Sequence, residues 1–170
     1  MNESDMKNFI ETLESFSAGM LVTQRGNELR SRPMAIADCT DTGRVWFITS
    51  VDSGKLEELT EHPRVNVSMQ SDSRFLSISG TARTTRDAAK IDELWRNDYS
   101  IWFDKGKQDP SLILLEIVPT FAEYWDRSGF AGMRFMFAAA KGAIAGETLD
   151  EDDIDGHGKI DFPSRPAARH

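Results

Sequence analysis

The chain has 170 residues, of which 39% are hydrophobic and 28% are charged. This length and composition predict one globular domain with a single core, and they exclude a largely disordered chain. The 20 basic and 28 acidic residues give a net charge of -8, which argues against a nucleic-acid-binding domain, because such domains carry a basic surface.

The sequence carries no sign of export or of membrane insertion. Cys39 is the single cysteine, so an intramolecular disulfide is excluded. The first residues include acidic Glu3 and Asp5 where a signal peptide carries bases. No stretch approaches the roughly 18 apolar residues of a membrane-spanning helix. We therefore expect a cytoplasmic protein.

The first half of the chain alternates between helical and strand patterns. Apolar residues at helical spacing predict a helix over Met6–Phe16. The turn sequence Asp41-Thr42-Gly43 predicts a hairpin between Met34–Asp38 and the β-branched and aromatic run Val45–Thr49. A second helix is predicted over about Gly54–His62.

The second half is mainly β. Alternating apolar and polar residues predict strands over Val65–Met69 and Leu76–Ala82. A weak capping box opens a third helix over Thr84–Trp95, and the apolar run Leu112–Val118 predicts a buried strand. Arg134–Ile144 is compatible with helix, but its alternation favours strand. Six or seven strands and three helices predict a mainly β fold, an antiparallel barrel or sheet with peripheral helices.

We find no internal repeat and no long linker. Residues 1–146 are predicted to form a single domain, and 147–170 an acidic C-terminal segment that is partly ordered. The segment either extends a contact between subunits through Ile160 and Phe162 or stays in solvent, and composition alone does not decide between the two.

The start of the second helix is a candidate anion site. Ser53 is the natural N-cap, and Lys55 follows in the first turn, where its charge opposes the helix dipole. A bound phosphate would explain the lysine, since it would gather the hydroxyl, the amides and the ammonium. The alternative is an ordinary solvated lysine.

A second candidate lies upstream, in Arg30-Ser31-Arg32-Pro33. Side chains two residues apart on an extended chain point the same way, so both arginines are able to converge on one anion. The alternative is a basic strand edge that discourages aggregation. The predicted hairpin would bring Arg32 close to Thr49.

The remaining motifs carry little chemistry. Trp125 and Trp46 are able to stack on a planar ligand, although a tryptophan at a strand end more often packs in a core or an interface. The three histidines and Cys39 lack metal-ligand spacing, so no metal site is predicted. No nucleophile motif, phosphate loop or dinucleotide fingerprint occurs, and no catalytic residue is nominated.

From Phe9 to Ile160 the sequence resembles the pyridoxamine 5'-phosphate oxidase-like flavoproteins, the FMN-binding split barrels, and among them the bacterial general stress protein branch. Each motif is weak alone, but their order and spacing are specific. The matching motifs are Ser31-Arg32-Pro33-Met34, Trp46-Phe47-Ile48-Thr49, Ser53-x-Lys55, His62-Pro63-Arg64-Val65-Asn66-Val67, Ser79-Gly80-Thr81-Ala82, Trp102-Phe103-x-Lys105-Gly106 and Ala122-Glu123-Tyr124-Trp125.

The resemblance implies a six-stranded antiparallel split barrel that forms a homodimer, with FMN, or alternatively FAD, in clefts shared by the subunits. It implies that Arg32, Ser53 and Lys55 hold the phosphate, that Ile48 and Thr49 lie beside the ring, and that Trp125 reaches the flavin from the partner subunit. The full set of implied cofactor-binding residues is Arg32, Pro33, Met34, Phe47, Ile48, Thr49, Ser53, Lys55, Trp125 and Arg134.

The sequence departs from the family pattern at positions that bear on the expected enzymatic activity. Gly54, Ala37 and Phe75 stand where the oxidases carry an arginine, a lysine and a glutamine, and Arg134-Phe135-Met136-Phe137 replaces their substrate-holding arginine and histidine. We therefore expect a flavin-dependent oxidoreductase with an unknown small-molecule redox partner and little activity on pyridoxamine phosphate. The alternatives are a non-catalytic protein that sequesters flavin or senses its redox state, and a heme or deazaflavin binder on the same fold.

Overall fold

A computed structural model of the chain describes residues 3–128 and 156–163. Within these ranges the helices are α1 Glu3–Glu14, α2 Lys55–Glu61 and α3 Ala88–Leu94, followed by short 3-10 turns at Asn97–Ile101 and Gly106–Gln108. The strands are β1 Ala18–Arg25, β2 Glu28–Ala35, β3 Asp38–Cys39, β4 Val45–Ser50, β5 Arg64–Gln70, β6 Arg74–Thr85, β7 Leu112–Asp126 and β8 His157–Asp161.

These strands form one antiparallel sheet in the order β2-β1-β5-β6-β7-β4-β3, and β8 pairs with β7 outside this path. The sheet is not closed, because β2 and β3 remain its two ends. An antiparallel sheet of this kind with peripheral helices is consistent with a split barrel. The predicted fold class is therefore confirmed.

β7 is the longest strand and connects the two ends of the molecule. β6 pairs with it along most of its length, while β4 pairs with its first half and β8 with its second half. Ile113 lies opposite Thr49, and Trp125 lies opposite His157. At about 3.3 Å per residue, these two positions on β7 are separated by about 40 Å of strand.

Alternate residues of the strands face inward and form the core. Such burial stabilises the fold by about 1.5–3 kcal/mol for each large apolar side chain. The fully buried members include Phe9 and Leu13 of α1 and the strand residues Leu21, Val45, Phe47, Val67, Ile78 and Ile117. A second cluster joins α3 and the 3-10 turns to the outer side of β4, where Trp46 and Ile48 pack against it.

The predicted hairpin is only partly correct. Asp38 and Cys39 do pair with β4, but Met34 belongs to β2 and lies opposite Gly19 of β1. The β1–β2 hairpin turns at Gly26, whose φ of 58° suits glycine. Pro33 is tolerated in β2 because that strand forms an edge of the sheet.

The three predicted helices are confirmed, with small differences at their ends. α3 begins after Asp87, whose side chain accepts a hydrogen bond from the Lys90 amide at 3.1 Å, while Thr84 lies in β6. Eight strands lie among the described residues, because β1 and β8 were not predicted and the predicted strand over Met34–Asp38 is divided between β2 and β3. Arg134–Ile144 lies outside the described residues.

The C-terminal strand β8 is part of the same sheet. Ile160 is 2% exposed and belongs to the main core. Phe162 packs edge-on against Phe9 with 5.8 Å between ring centroids. The backbone at Gly158 lies so close to the buried Tyr124 ring that a Cβ there would be 2.5 Å from its atoms. This part of the acidic segment therefore packs on its own chain rather than standing in solvent.

Candidate functional site

Lys55 joins the end of β4 to the start of α2. Its Nζ donates hydrogen bonds to Thr49 Oγ1 at 2.7 Å and to Ser53 Oγ at 2.9 Å. The prediction that Ser53 caps α2 is wrong, because Gly54 is the N-cap residue and no side chain caps the helix. The Ser53 hydroxyl accepts from the lysine instead, which places three polar groups at one point.

Glu58 is a buried carboxylate one turn further along α2. It is 5% exposed, and its Oε2 accepts hydrogen bonds from Thr23 Oγ1 at 2.5 Å and from Arg32 Nη2 at 2.7 Å. Arg30 Nη1 lies 3.5 Å from Oε1. The carboxylate therefore ties α2 to both strands of the β1–β2 hairpin.

The two arginines of β2 converge on one anion, as their spacing predicts. The anion that the structure shows is the carboxylate of Glu58, which belongs to the protein itself. The Arg32 side chain is 23% exposed.

Arg32 and Lys55 lie close enough for their positive charges to repel each other. Burial lowers the pKa of Lys55, the nearby charge of Arg32 lowers it further, and Glu58 opposes the shift. Burial alone would raise the pKa of Glu58, but the hydrogen bonds from Thr23 and Arg32 and the two arginine charges outweigh it and hold that pKa below its ordinary value.

The cations of this site have donor capacity that the described residues do not fill. Arg32 Nη1 is buried and has no acceptor within the described part of the chain. Lys55 has only the two neutral hydroxyls as hydrogen-bond acceptors within 3–128 and 156–163. A buried donor left unpaired costs about 1–3 kcal/mol. Three cations, Arg30, Arg32 and Lys55, stand against the two carboxylates of Glu28 and Glu58, which leaves one excess positive charge. This excess suits an anion.

Four of the other predicted residues differ in their access to solvent. Pro33 is exposed on β2 and lines an open groove with Met20 and Ser68. The side chains of Met34 and Phe47 are buried in the main core, so they support the site from beneath. Ile48 faces outward and packs against the second cluster.

Trp125 lies at the opposite end of β7 from the residues that pair with Thr49 and Ser50. Its ring stacks on His157, with 5.2 Å between ring centroids and 6° between planes. His157 Nε2 in turn lies 2.9 Å from Glu123 Oε1. Arg134 lies outside the described residues.

Comparison with known proteins places the chain in a family. The family model described as pyridoxamine 5'-phosphate oxidase like matches residues 4–150. The chain belongs to this family. The resemblance seen in the sequence motifs is thus confirmed, and it extends over most of the chain.

Relatives within the family are named as general stress proteins. The chain is 30% identical to General stress protein 26 of Bacillus subtilis (strain 168) over 125 residues, which cover 70% of this chain and 87% of that protein. It is similar to the structure of a putative general stress protein 26 from Jannaschia sp. CCS1, with a TM-score of 0.71, 27% identity and coverage of 92% and 97%. It is also similar to a general stress FMN/FAD binding protein from Xanthomonas citri, with a TM-score of 0.66, 30% identity and coverage of 75% and 92%.

Two negative findings apply to the described ranges. No three His, Cys, Asp or Glu side chains there are grouped so that they could hold a metal ion. Among the same residues, no helix has the length and apolar character needed to cross a membrane.

Sequence reasoning missed Glu58, Thr23 and the stack on His157. The one available signal for Glu58 is its position three residues after Lys55, which puts both on the same side of α2. Thr23 was not identified because strand β1 was not predicted. The pairing of β8 with β7 bridges a long sequence separation, which local patterns do not encode.

Proposed function

We propose that this chain binds FMN, with the phosphate held by Arg32, Ser53 and Lys55. The observation that carries the proposal is the unfilled donor capacity of Arg32 and Lys55 at one place. A phosphate monoester carries a charge of about -1.5 to -2 at neutral pH and three acceptor oxygens. The excess positive charge of the site and its unpaired N–H groups match such a ligand.

The relatives support flavin as the ligand that carries this phosphate. The similar Xanthomonas citri protein is described as binding FMN or FAD. In the proposed complex Lys55 and Arg32 neutralise the phosphate, and Ser53 and Thr49 orient the lysine. Flavin would supply the electron-transfer chemistry, and the protein would supply binding and orientation. We further propose that the protein is a flavin-dependent oxidoreductase of the general stress type.

A homodimer would complete the site. Within one chain Trp125 is separated from the phosphate residues by most of β7, so it is not positioned to cover the same flavin. A second copy related by a twofold axis would be able to bring its own Trp125 to that flavin. The proposal therefore includes two equivalent sites, each built from both subunits.

Titration with FMN and with riboflavin tests the phosphate site. Riboflavin lacks the phosphate, so the protein should bind FMN more tightly. The double variant Arg32→Ala/Lys55→Ala should weaken FMN by at least about 2–3 kcal/mol, or about 30- to 150-fold, because each change removes a charge-assisted bond.

The control variant is Arg96→Ala/Lys107→Ala, which removes the same charge from two exposed residues at the 3-10 turns that follow α3. It should leave the FMN affinity unchanged. Equal FMN affinity in the wild type and the Arg32/Lys55 variant, measured by isothermal titration, would show that the phosphate has been placed wrongly.

Redox activity is tested separately by rapid mixing of the FMN-loaded protein with NADH or NADPH. Loss of the yellow flavin absorbance at a useful rate is the result expected for an oxidoreductase. Bound flavin that no common donor reduces would favour a sequestering or sensing protein instead. Pyridoxamine phosphate should be oxidised slowly or not at all.

A further inference from the structure

Glu58 poses an electrostatic problem for the proposed site. It is a carboxylate in contact with Arg32, one of the residues proposed to hold the phosphate, and a negative charge there repels an anionic ligand. It is also almost completely buried, which is unfavourable for a charged group unless its partners compensate.

The contacts of Glu58 explain what it does to Arg32. Thr23, itself 1% exposed on β1, donates to the same Oε2 that accepts from Arg32 Nη2. The carboxylate is therefore held from one side and bonds the guanidinium from the other. Arg32 Nη1 remains without an acceptor among the described residues, so Glu58 fixes the side chain without using all its donors.

We infer that Glu58, held by Thr23, is a positioning residue that keeps Arg32 oriented toward the ligand phosphate. This inference rests on the proposed FMN site. An arginine side chain that is already ordered loses less conformational entropy when the ligand binds. That gain opposes the repulsion between the carboxylate and the phosphate, which the charges of Arg30 and Arg32 already offset in part.

The first test compares two ligands in the variant Glu58→Ala. FMN affinity should fall by about 5- to 10-fold, because Arg32 must then be ordered during binding. Riboflavin affinity should stay the same, because riboflavin has no phosphate for Arg32 to contact. Glu58→Gln keeps a carbonyl acceptor for Thr23 and Arg32, so it should restore FMN binding to within about twofold of the wild type.

The second test asks whether Glu58 acts through Arg32. In an Arg32→Ala background, Glu58→Ala should cause no further loss of FMN affinity. Thr23→Val keeps the carboxylate and removes only the hydrogen bond that holds it, so it should weaken FMN in the same direction by a smaller factor. This variant also serves if Glu58→Ala does not fold.

Four results would overturn the inference. FMN affinity that is unchanged or higher in Glu58→Ala would mean that the carboxylate only competes with the phosphate. An equal loss for FMN and riboflavin, or an undiminished loss in the Arg32→Ala background, would mean a general structural role. Wild-type protein that does not prefer FMN to riboflavin would overturn the proposed phosphate site as well, which distinguishes the two failures.

Discussion

A mixed dimer tests whether the proposed flavin site needs two chains. One subunit carries Arg32→Ala/Lys55→Ala and therefore lacks the phosphate-binding cations. The other carries Trp125→Ala and therefore lacks the ring proposed to cover the flavin. Coexpression with two different affinity tags, followed by two purification steps, isolates pairs that contain one subunit of each kind.

The proposed shared site gives the expected stoichiometry. Trp125 and the residue opposite Thr49 are separated by about 40 Å of strand along β7, and the proposal therefore assigns them to two different flavins of a dimer. In a mixed pair, one site would carry both defects, and the other would combine intact cations with an intact Trp125. We expect about one FMN per pair, compared with about two for the wild type.

Each variant should lose enough FMN binding free energy for the loss to be measured. Loss of the two cations costs at least about 2–3 kcal/mol of FMN binding, and loss of a large buried aromatic contact costs about 1.5–3 kcal/mol. At an FMN concentration that just saturates the wild type, the homodimer of either variant should therefore stay largely empty. Flavin absorbance per protein gives the stoichiometry after gel filtration.

The contrary result is equally specific. If each site were built within one chain, both subunits of the mixed pair would be defective, and the pair would bind almost no FMN. A protein that sediments as a monomer and still holds FMN tightly would refute the shared site directly.

Three further predictions concern stability. The pKa of Glu58 is lowered on folding, so its contribution to the unfolding free energy is present above the ordinary glutamate pKa and is lost as pH falls through the lowered value. In thermal melts from pH 7 to 3, the melting temperature of the wild type should therefore fall more steeply than that of Glu58→Gln. Gly158→Ala should lower the unfolding free energy by about 1–3 kcal/mol in urea titration, because the added Cβ would meet the buried ring of Tyr124, and an unchanged midpoint would contradict the close approach. Ile160→Ala should lower the unfolding free energy by about 2–5 kcal/mol, because Ile160 is buried in the core. Lys159→Ala should lower it little, because the Lys159 side chain is half exposed. Equal stability of the two variants would argue that β8 does not belong to the core.

Local sequence patterns predicted the strands and helices in which buried apolar residues recur at a regular spacing. Alternation identified the centres of β5 and β6, and helical spacing identified the buried face of α1. The sequence also predicted that Ser53 and Lys55 lie close together at the start of α2. It did not predict the contact between Lys55 and Thr49, which forms because a short loop joins β4 to α2.

Elements that depend on distant partners were harder to predict. β1 was missed although it is a central strand, and β2 was assigned to the wrong partner. Half of the β2 residues are charged or polar, because β2 is an edge strand. Arg30 and Arg32 contact Glu58 of α2, while Met34 is buried in the main core. Glu58 itself looks like an ordinary surface glutamate in the sequence, and only the tertiary structure surrounds it with Thr23 and Arg32.

The length of β7 has a consequence for how this chain tolerates change. The strand is aligned with β4 at one end and with β8 at the other, and β6 follows it almost throughout. Inserting one residue near its middle would turn every following side chain to the opposite face and move Trp125 by one step. The irregularity opposite Ser79 and Gly80 is the one place in this pairing where the register already shifts. Insertions and deletions in homologous chains should therefore concentrate there or in the loops, and the rest of β7 should keep a constant number of residues.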